Sequence, residues 1–160
     1  MKIIEYEDKY LEDVKDLLVE LEEYIITIDK DNLDRLHPEY RDKMAILDLE
    51  EIKNNEGKCY LAIEKEKAIG LIMGGIRSYN EYDYLDYKCP KCGKITELII
   101  SKKARSKGIG QQLMKKIENY FKSINCEYII IDVFAYNTNG IKFYEQQGYH
   151  TRGLIDIKKL

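Results

Sequence analysis

Arg105-Ser-Lys-Gly108-Ile-Gly110-Gln-Gln112 joins the apolar run Ile95-Thr-Glu-Leu-Ile-Ile100 to a segment in which Ile109, Leu113, Ile117 and Phe121 recur every four residues. The first run has the composition of a strand, and the fourfold spacing predicts an amphipathic helix. Between them lie two glycines, a serine and the cations Lys103, Arg105 and Lys107, with no Asp or Asn immediately before the helix to cap it. Backbone N–H groups at a helix start lack partners and carry partial positive charge. Glycines that admit close backbone approach, with cations beside them, suit a phosphate or diphosphate.

Spacing discriminates among phosphate-binding loops. A Walker loop needs Gly-Lys-Ser/Thr four residues after a glycine, and no such string occurs. A dinucleotide fingerprint needs a third glycine where Leu113 stands. Arg105, Gly108 and Gly110 instead fill Arg/Gln-x-x-Gly-x-Gly/Ala, which resembles the acyl-CoA pyrophosphate loop of the GNAT superfamily of N-acetyltransferases. Downstream, Asn137-Thr-Asn-Gly-Ile-Lys-Phe-Tyr144-Glu-Gln-Gln-Gly148-Tyr149 resembles that family's Asn…Phe-Tyr-x-x-x-Gly-Phe/Tyr segment. The two motifs stand in the family's order and separation.

Working outward, the chain reads as alternating elements. Lys2 to Tyr6 is a short strand. Asp8 to Ile26 is a helix, with Leu11, Val14, Leu18, Leu21 and Ile25 on one face. A polar connection with Asp29, Asp31 and Asp34 leads to a second helix from Glu39 to Asn54. Cys59 to Glu64 and Ala68 to Arg77 form a hairpin over Lys65-Glu66-Lys67. Residues 78 to 92 are an insertion carrying Tyr79, Tyr82, Tyr84 and Tyr87. After the glycine loop and its helix come a strand from Tyr128 to Phe134 and a short helix from Asn139 to Gln147, stopped by Gly148. The last strand expected is Tyr149 to Ile157. The order β-α-α-β-β-β-α-β-α-β is that of an α/β mixed sheet with the GNAT acyl-CoA N-acyltransferase fold, as one domain over residues 1–160.

Composition limits the alternatives. A length of 160 residues with 44% hydrophobic content supports one proper core. Net charge of −3 argues against nucleic-acid binding through a basic field. No apolar run approaches a membrane span and no secretory leader is evident, so a cytoplasmic location is expected. Four unevenly spaced cysteines do not suggest a disulfide scaffold.

The resemblance implies acetyl transfer from acetyl-CoA to an amine. Ile99, Ile100, Arg105, Ser106, Lys107, Gly108, Ile109, Gly110, Gln111, Asn137, Asn139 and Tyr144 would contact the cofactor. The Ile100 N–H would face the acetyl carbonyl. Tyr144 matches the general acid, although with fourteen tyrosines in the chain a core aromatic paired with Phe143 is its plain alternative. Asn137 matches the residue that contacts pantetheine or the adenine side of the cofactor, with a turn or helix cap as its plain alternative. Glu97, a carboxylate in an otherwise apolar strand, is the candidate base or else part of a structural ion pair. A bulge in that strand would invert side-chain facing, so the face Glu97 occupies is open from sequence.

Cys89-Pro-Lys-Cys92-Gly93 looks like half a zinc knuckle, but no second pair exists. It reads as a turn, a redox pair or a metal shared across a dimer, and no resident metal is assigned. Cys126 has no neighbouring His in sequence to make it an acetyl carrier. The acidic connection and tyrosine-rich insertion suit a cationic acceptor, a small amine or a peptide amine, although solvated loops read the same way. The resemblance also admits a homodimer. Two rival classes are a non-catalytic acetyl-CoA sensor, against which Tyr144 argues, and a small zinc-binding interaction protein, which leaves both later motifs unexplained.

Overall fold

The computed structural model describes residues 1–160. Its centre is made by β2 (Lys58–Glu64) and β3 (Lys67–Ile76), near-continuous apolar runs buried on both faces. Cys59, Leu61, Ile63, Leu71 and Met73 point to one core, while Tyr60, Ala62 and Ile72 point to the other. Lys65 and Glu66 join the two strands with φ of 50° and 64°, the left-handed pair that a tight hairpin requires. β1 (Lys2–Glu5) and β4 (Cys92–Ile100) flank this hairpin antiparallel, and β5 (Tyr128–Ile131) adds in parallel to β4, giving the order β1-β2-β3-β4-β5.

Helices α1 (Leu11–Ile28) and α2 (Tyr40–Asn54) cover one face. Helix α4 (Ile109–Ser123) covers the other and supplies the crossover that parallel pairing of β4 and β5 demands. Its predicted stripe is fully used: Ile109, Leu113, Ile117 and Phe121 are all buried, joined by Met114. Helix α5 (Thr138–Gln146) packs Phe143 and Tyr144 on the same side and ends before Gly148, whose φ of +89° is the expected left-handed stop.

Two expectations need correction. The insertion contains a helix, α3 (Glu81–Asp86), whose capping box pairs Asn80 with Asp83. The strand expected from Tyr149 to Ile157 does not form, and β5 stops at Ile131 rather than Phe134. Strand-forming composition needs a neighbour to pair with, and no strand lies beside residues 150–160.

The β4–α4 packing is tight where Gly93 meets Phe121. A Cβ at Gly93 would lie 2.6 Å from the Phe121 ring. Gly93→Ala should therefore destabilise the fold by about 1–3 kcal/mol. Urea unfolding measures this, and an unchanged midpoint would show that Phe121 moves aside freely.

Candidate active site

The register between β3 and β4 breaks at one residue. Ile95 pairs with Gly74 and Glu97 with Met73, so Thr96 has no partner and is a bulge. Gly74 accommodates it: a Cβ there would fall 2.3 Å from the Lys94 carbonyl oxygen. The Thr96 hydroxyl donates to the Met73 carbonyl at 3.3 Å. Upstream, Ile95 belongs to the core under α4; downstream, Ile99 belongs to the core under α1 and α2. Glu97, in phase with Ile99, therefore faces α1 and α2.

The bulge also parts the sheet. Pairing of β4 with β5 ends at Ile95 and Ile131, and no β5 residue pairs with Thr96 to Ile100. The Ser101 N–H donates to Ile69 of β3. By antiparallel alternation the Ile99 amide also turns to β3, whereas those of Leu98 and Ile100 turn to the gap. Of the two isoleucines assigned to the cofactor, then, only Ile100 offers it an amide. The side chain of Ile99 is buried in the core.

Carboxylates crowd the α1–α2 side of this gap. Burial pushes Glu97 up to about 8, helped by the charges of Asp48 and Glu22. Burial likewise raises Asp48 to about 6, with Glu51 adding to it. Asp48 Oδ2 is buried without a hydrogen-bond partner. Burial raises Glu22, and it raises the Tyr40 phenol, which bonds Glu22 and feels Glu97 and Asp48. An adjoining cleft of about 450 Å³ is lined by Glu51, Asn55, Arg77, Lys94, Thr96 and Asp132 among others.

Apart from Glu97, these are not the carboxylates and aromatics that the sequence singled out. Asp29 is consumed by the backbone amides of Asp31, Leu33 and Asp34, and Asp31 by the Tyr136 hydroxyl. The face of Tyr79 is taken by Arg77 at 4.9 Å, and that of Tyr87 by Arg152 at 4.8 Å. Glu22 and Asp48 escaped sequence reading because charges on amphipathic helices pass as solvated faces.

The glycine loop sits at the top of the gap. Ser106 and Gly108 take φ of 63° and 71°, and no side chain caps the start of α4. The amides of Ile109, Gly110 and Gln111 thus form an uncapped helix start beside Arg105 and Lys107. Gly110 permits close packing, since a Cβ there would lie 3.2 Å from the Phe143 ring, which would have to give way slightly. Arg105 Nε donates to the Ile100 carbonyl at 3.0 Å, and its guanidinium lies 5.5 Å from the Tyr24 ring.

Tyr144 lies half-buried on α5, edge-on to Phe143 at 5.4 Å and to Tyr149 at 6.1 Å. Burial, with the nearby charge of Glu97, lifts its phenol to about 12. Asn137 caps α5: its Oδ1 accepts from the Gly140 amide at 3.0 Å and from the Tyr24 hydroxyl at 3.2 Å. Tyr24 therefore ties α1 to both α5 and the glycine loop, a role the sequence did not reveal. Asn139 is exposed on the first turn of α5. All four cysteines are free, Cys92 is buried, and the Cys89 thiol bonds the Tyr87 carbonyl.

A model of the acetyltransferase (GNAT) family matches residues 18–149. The chain belongs to this family. It is 33% identical over 99 residues to an uncharacterized N-acetyltransferase of Methanocaldococcus jannaschii, a stretch covering 61% of this chain and 56% of that one. It is 28% identical over 91 residues to N-alpha-acetyltransferase 30 of Xenopus laevis, covering 57% of this chain and 31% of that one. The matched stretches thus span at most 56% of these curated relatives.

Among solved structures, a variant of a Bacillus halodurans protein is 17% identical, with a TM-score of 0.80 over 100% of both chains. An aminoglycoside N-acetyltransferase solved with CoA is also 17% identical, with a TM-score of 0.70 over 99% of both. At these identities the likeness is one of fold. GNAT membership bears out the expected family and fold.

The carboxylate cluster gives the GNAT site a pH signature in stability. Asp48 binds its proton more tightly folded than unfolded, so its contribution is greatest in acid. That contribution fades as pH rises through about 6. Asp48→Asn should remove a loss of about 2 kcal/mol between pH 4 and pH 8. Urea titrations across that range test it; an equally steep fall in the variant would show Asp48 to be unstrained.

Proposed function

We propose that this protein moves an acetyl group from acetyl-CoA directly to a primary amine of a small molecule or a peptide. The observation that carries the reading is Glu97, a half-buried carboxylate held at about 8 at the point where β4 and β5 part, with Tyr144 near enough to feel its charge. The two groups are pushed toward opposite duties. Glu97 can take a proton near neutral pH, while Tyr144 keeps its own and stands as a donor.

The chain's own groups fit the cofactor. The loop from Arg105 to Gln111 offers uncapped amides and two cations to a diphosphate, and the Leu98 and Ile100 amides face the gap as donors for an acyl oxygen. Bound acetyl-CoA supplies a thioester carbonyl open to attack by an amine. On the α1–α2 side, Glu22, Asp48 and Glu97 are desolvated carboxylates with no cation of the chain recorded against them. An alkyl ammonium entering there relieves their mutual repulsion, and Glu97 takes its proton as the nitrogen attacks. That same repulsion disfavours an anionic acceptor. The acetyltransferase class printed for both curated relatives supports an amine acceptor, and no helix is long and apolar enough to cross a membrane.

The pH profile is the test. Glu97 acts when deprotonated, so kcat/KM should climb as pH rises through about 8. Glu97→Gln should lower kcat about a hundredfold and abolish that limb. Tyr144→Phe should cost a similar factor yet keep the limb, because its proton is held throughout. Acetyl-CoA turnover with an amine panel reads both. An unaltered profile in Glu97→Gln removes it as the base, and preference for anionic acceptors refutes the amine assignment.

A further inference from the structure

Two side chains on one face of α1 hold the chain where β4 runs into the glycine loop. Glu20 accepts from the Lys102 amide, and Tyr24, about one helical turn further on, meets both Arg105 and Asn137. Tyr24 is half-buried, and neither of its partners is close to it in sequence.

The Asn137 contact fixes which way that side-chain amide faces. The Gly140 N–H bonds its oxygen at 3.0 Å, and the Tyr24 hydroxyl donates to the same oxygen at 3.2 Å. A carbonyl oxygen has two lone pairs, so its accepting capacity is filled. Turning the amide over would set Nδ2 against two donors, and the flip is therefore locked. Nδ2 itself has no acceptor in the protein, and its N–H groups are left free for a ligand.

The Arg105 contact works in the same sense. Its Nε is bonded to the Ile100 carbonyl, and its guanidinium lies against the Tyr24 ring within cation–π range. No carboxylate of the chain pairs with it, so both Nη groups stay free as donors. Arg105 is otherwise exposed, and a long exposed side chain samples many rotamers. Holding it beforehand removes an ordering cost from binding.

We propose that Tyr24 is a positioning residue for acetyl-CoA. Its hydroxyl presents the Asn137 Nδ2 donors to the carbonyls of the pantetheine arm, and its ring holds Arg105 for the diphosphate. Tyr24 acts through these two side chains rather than on the reacting atoms, and it does so only if the cofactor lies where proposed above.

Calorimetry with CoA on the full chain tests this. Tyr24→Phe keeps the ring and removes the hydroxyl, and should weaken CoA about fivefold. Tyr24→Leu removes the ring as well and should weaken it about threefold more. Asn137→Ser retains an oxygen to cap α5 but has no amide donor, and in that background Tyr24→Phe should cost nothing further. In turnover, Tyr24→Phe should raise KM for acetyl-CoA by the calorimetric factor, with kcat at saturation and KM for the amine nearly unchanged. Losses that add in the double variant overturn the proposal. So does wild-type CoA affinity in Tyr24→Phe, whatever its urea midpoint, since Tyr24 then serves the fold alone. A wild-type chain with no affinity for CoA overturns the cofactor placement as well, which tells the two failures apart.

Discussion

One unpaired residue in β4 organises the candidate site of this molecule. An uninterrupted strand would set Ile95, Glu97 and Ile99 on a common face, either burying a carboxylate under α4 or turning Ile95 out of its core. The bulge at Thr96 separates those demands: Ile95 stays under α4, and Glu97 moves to the α1–α2 side. It falls where β4 and β5 cease to pair, so the same residue that aims Glu97 also marks the opening of the sheet. Gly74 is the complement of this bulge, since any larger residue would drive into the Lys94 carbonyl. A protein interior is packed too closely to absorb such an intrusion without moving the strand.

The second anchor is the start of α4. Its apolar stripe fixes the helix against the sheet, and that packing fixes where the first amides point. Gly110 lets α4 approach Phe143, and Phe143 in turn meets Tyr144. Arg105 reaches back to the Ile100 carbonyl. The glycine loop, Tyr144 and the open strand edge are therefore one packed unit. Tyr24 extends the unit to α1, where Glu22 stands.

How much of this was legible depends on how local each signal is. The stripe of α4, the hairpin of β2 and β3 and the stop at Gly148 are written in consecutive residues and could be read directly. So could the glycine loop, whose spacing alone excluded other phosphate sites. The bulge was anticipated only as a possibility, although Gly74 and Gly75 in mid-strand were its available sign. The carboxylate cluster could not be read. Glu22, Asp48 and Glu97 come from α1, α2 and β4, and only the fold brings them together. The last strand failed for a related reason: residues 149–157 have the composition of a strand, but a strand exists only beside another. Asn137 shows how a motif residue can carry structural duty, since its Oδ1 is committed to capping α5.

The cluster also explains why an expensive arrangement persists. Burial raises all three carboxylates, the charges of Asp48 and Glu22 raise Glu97 further, and nothing in the fold requires three of them beside an aromatic phenol that bonds one. Apolar residues of similar size would pack there at lower cost. What the arrangement does supply is a group that gives and takes a proton near neutrality, set opposite one that does not. Glu97 needs Asp48 and Glu22 for this, because their charges reinforce the effect of burial. A positively charged acceptor would lower that cost on entering and, by pulling Glu97 back toward the usual carboxylate range, would readily surrender its proton only as it reacts. The raised carboxylates and the amine acceptor proposed above are then two consequences of one electrostatic arrangement.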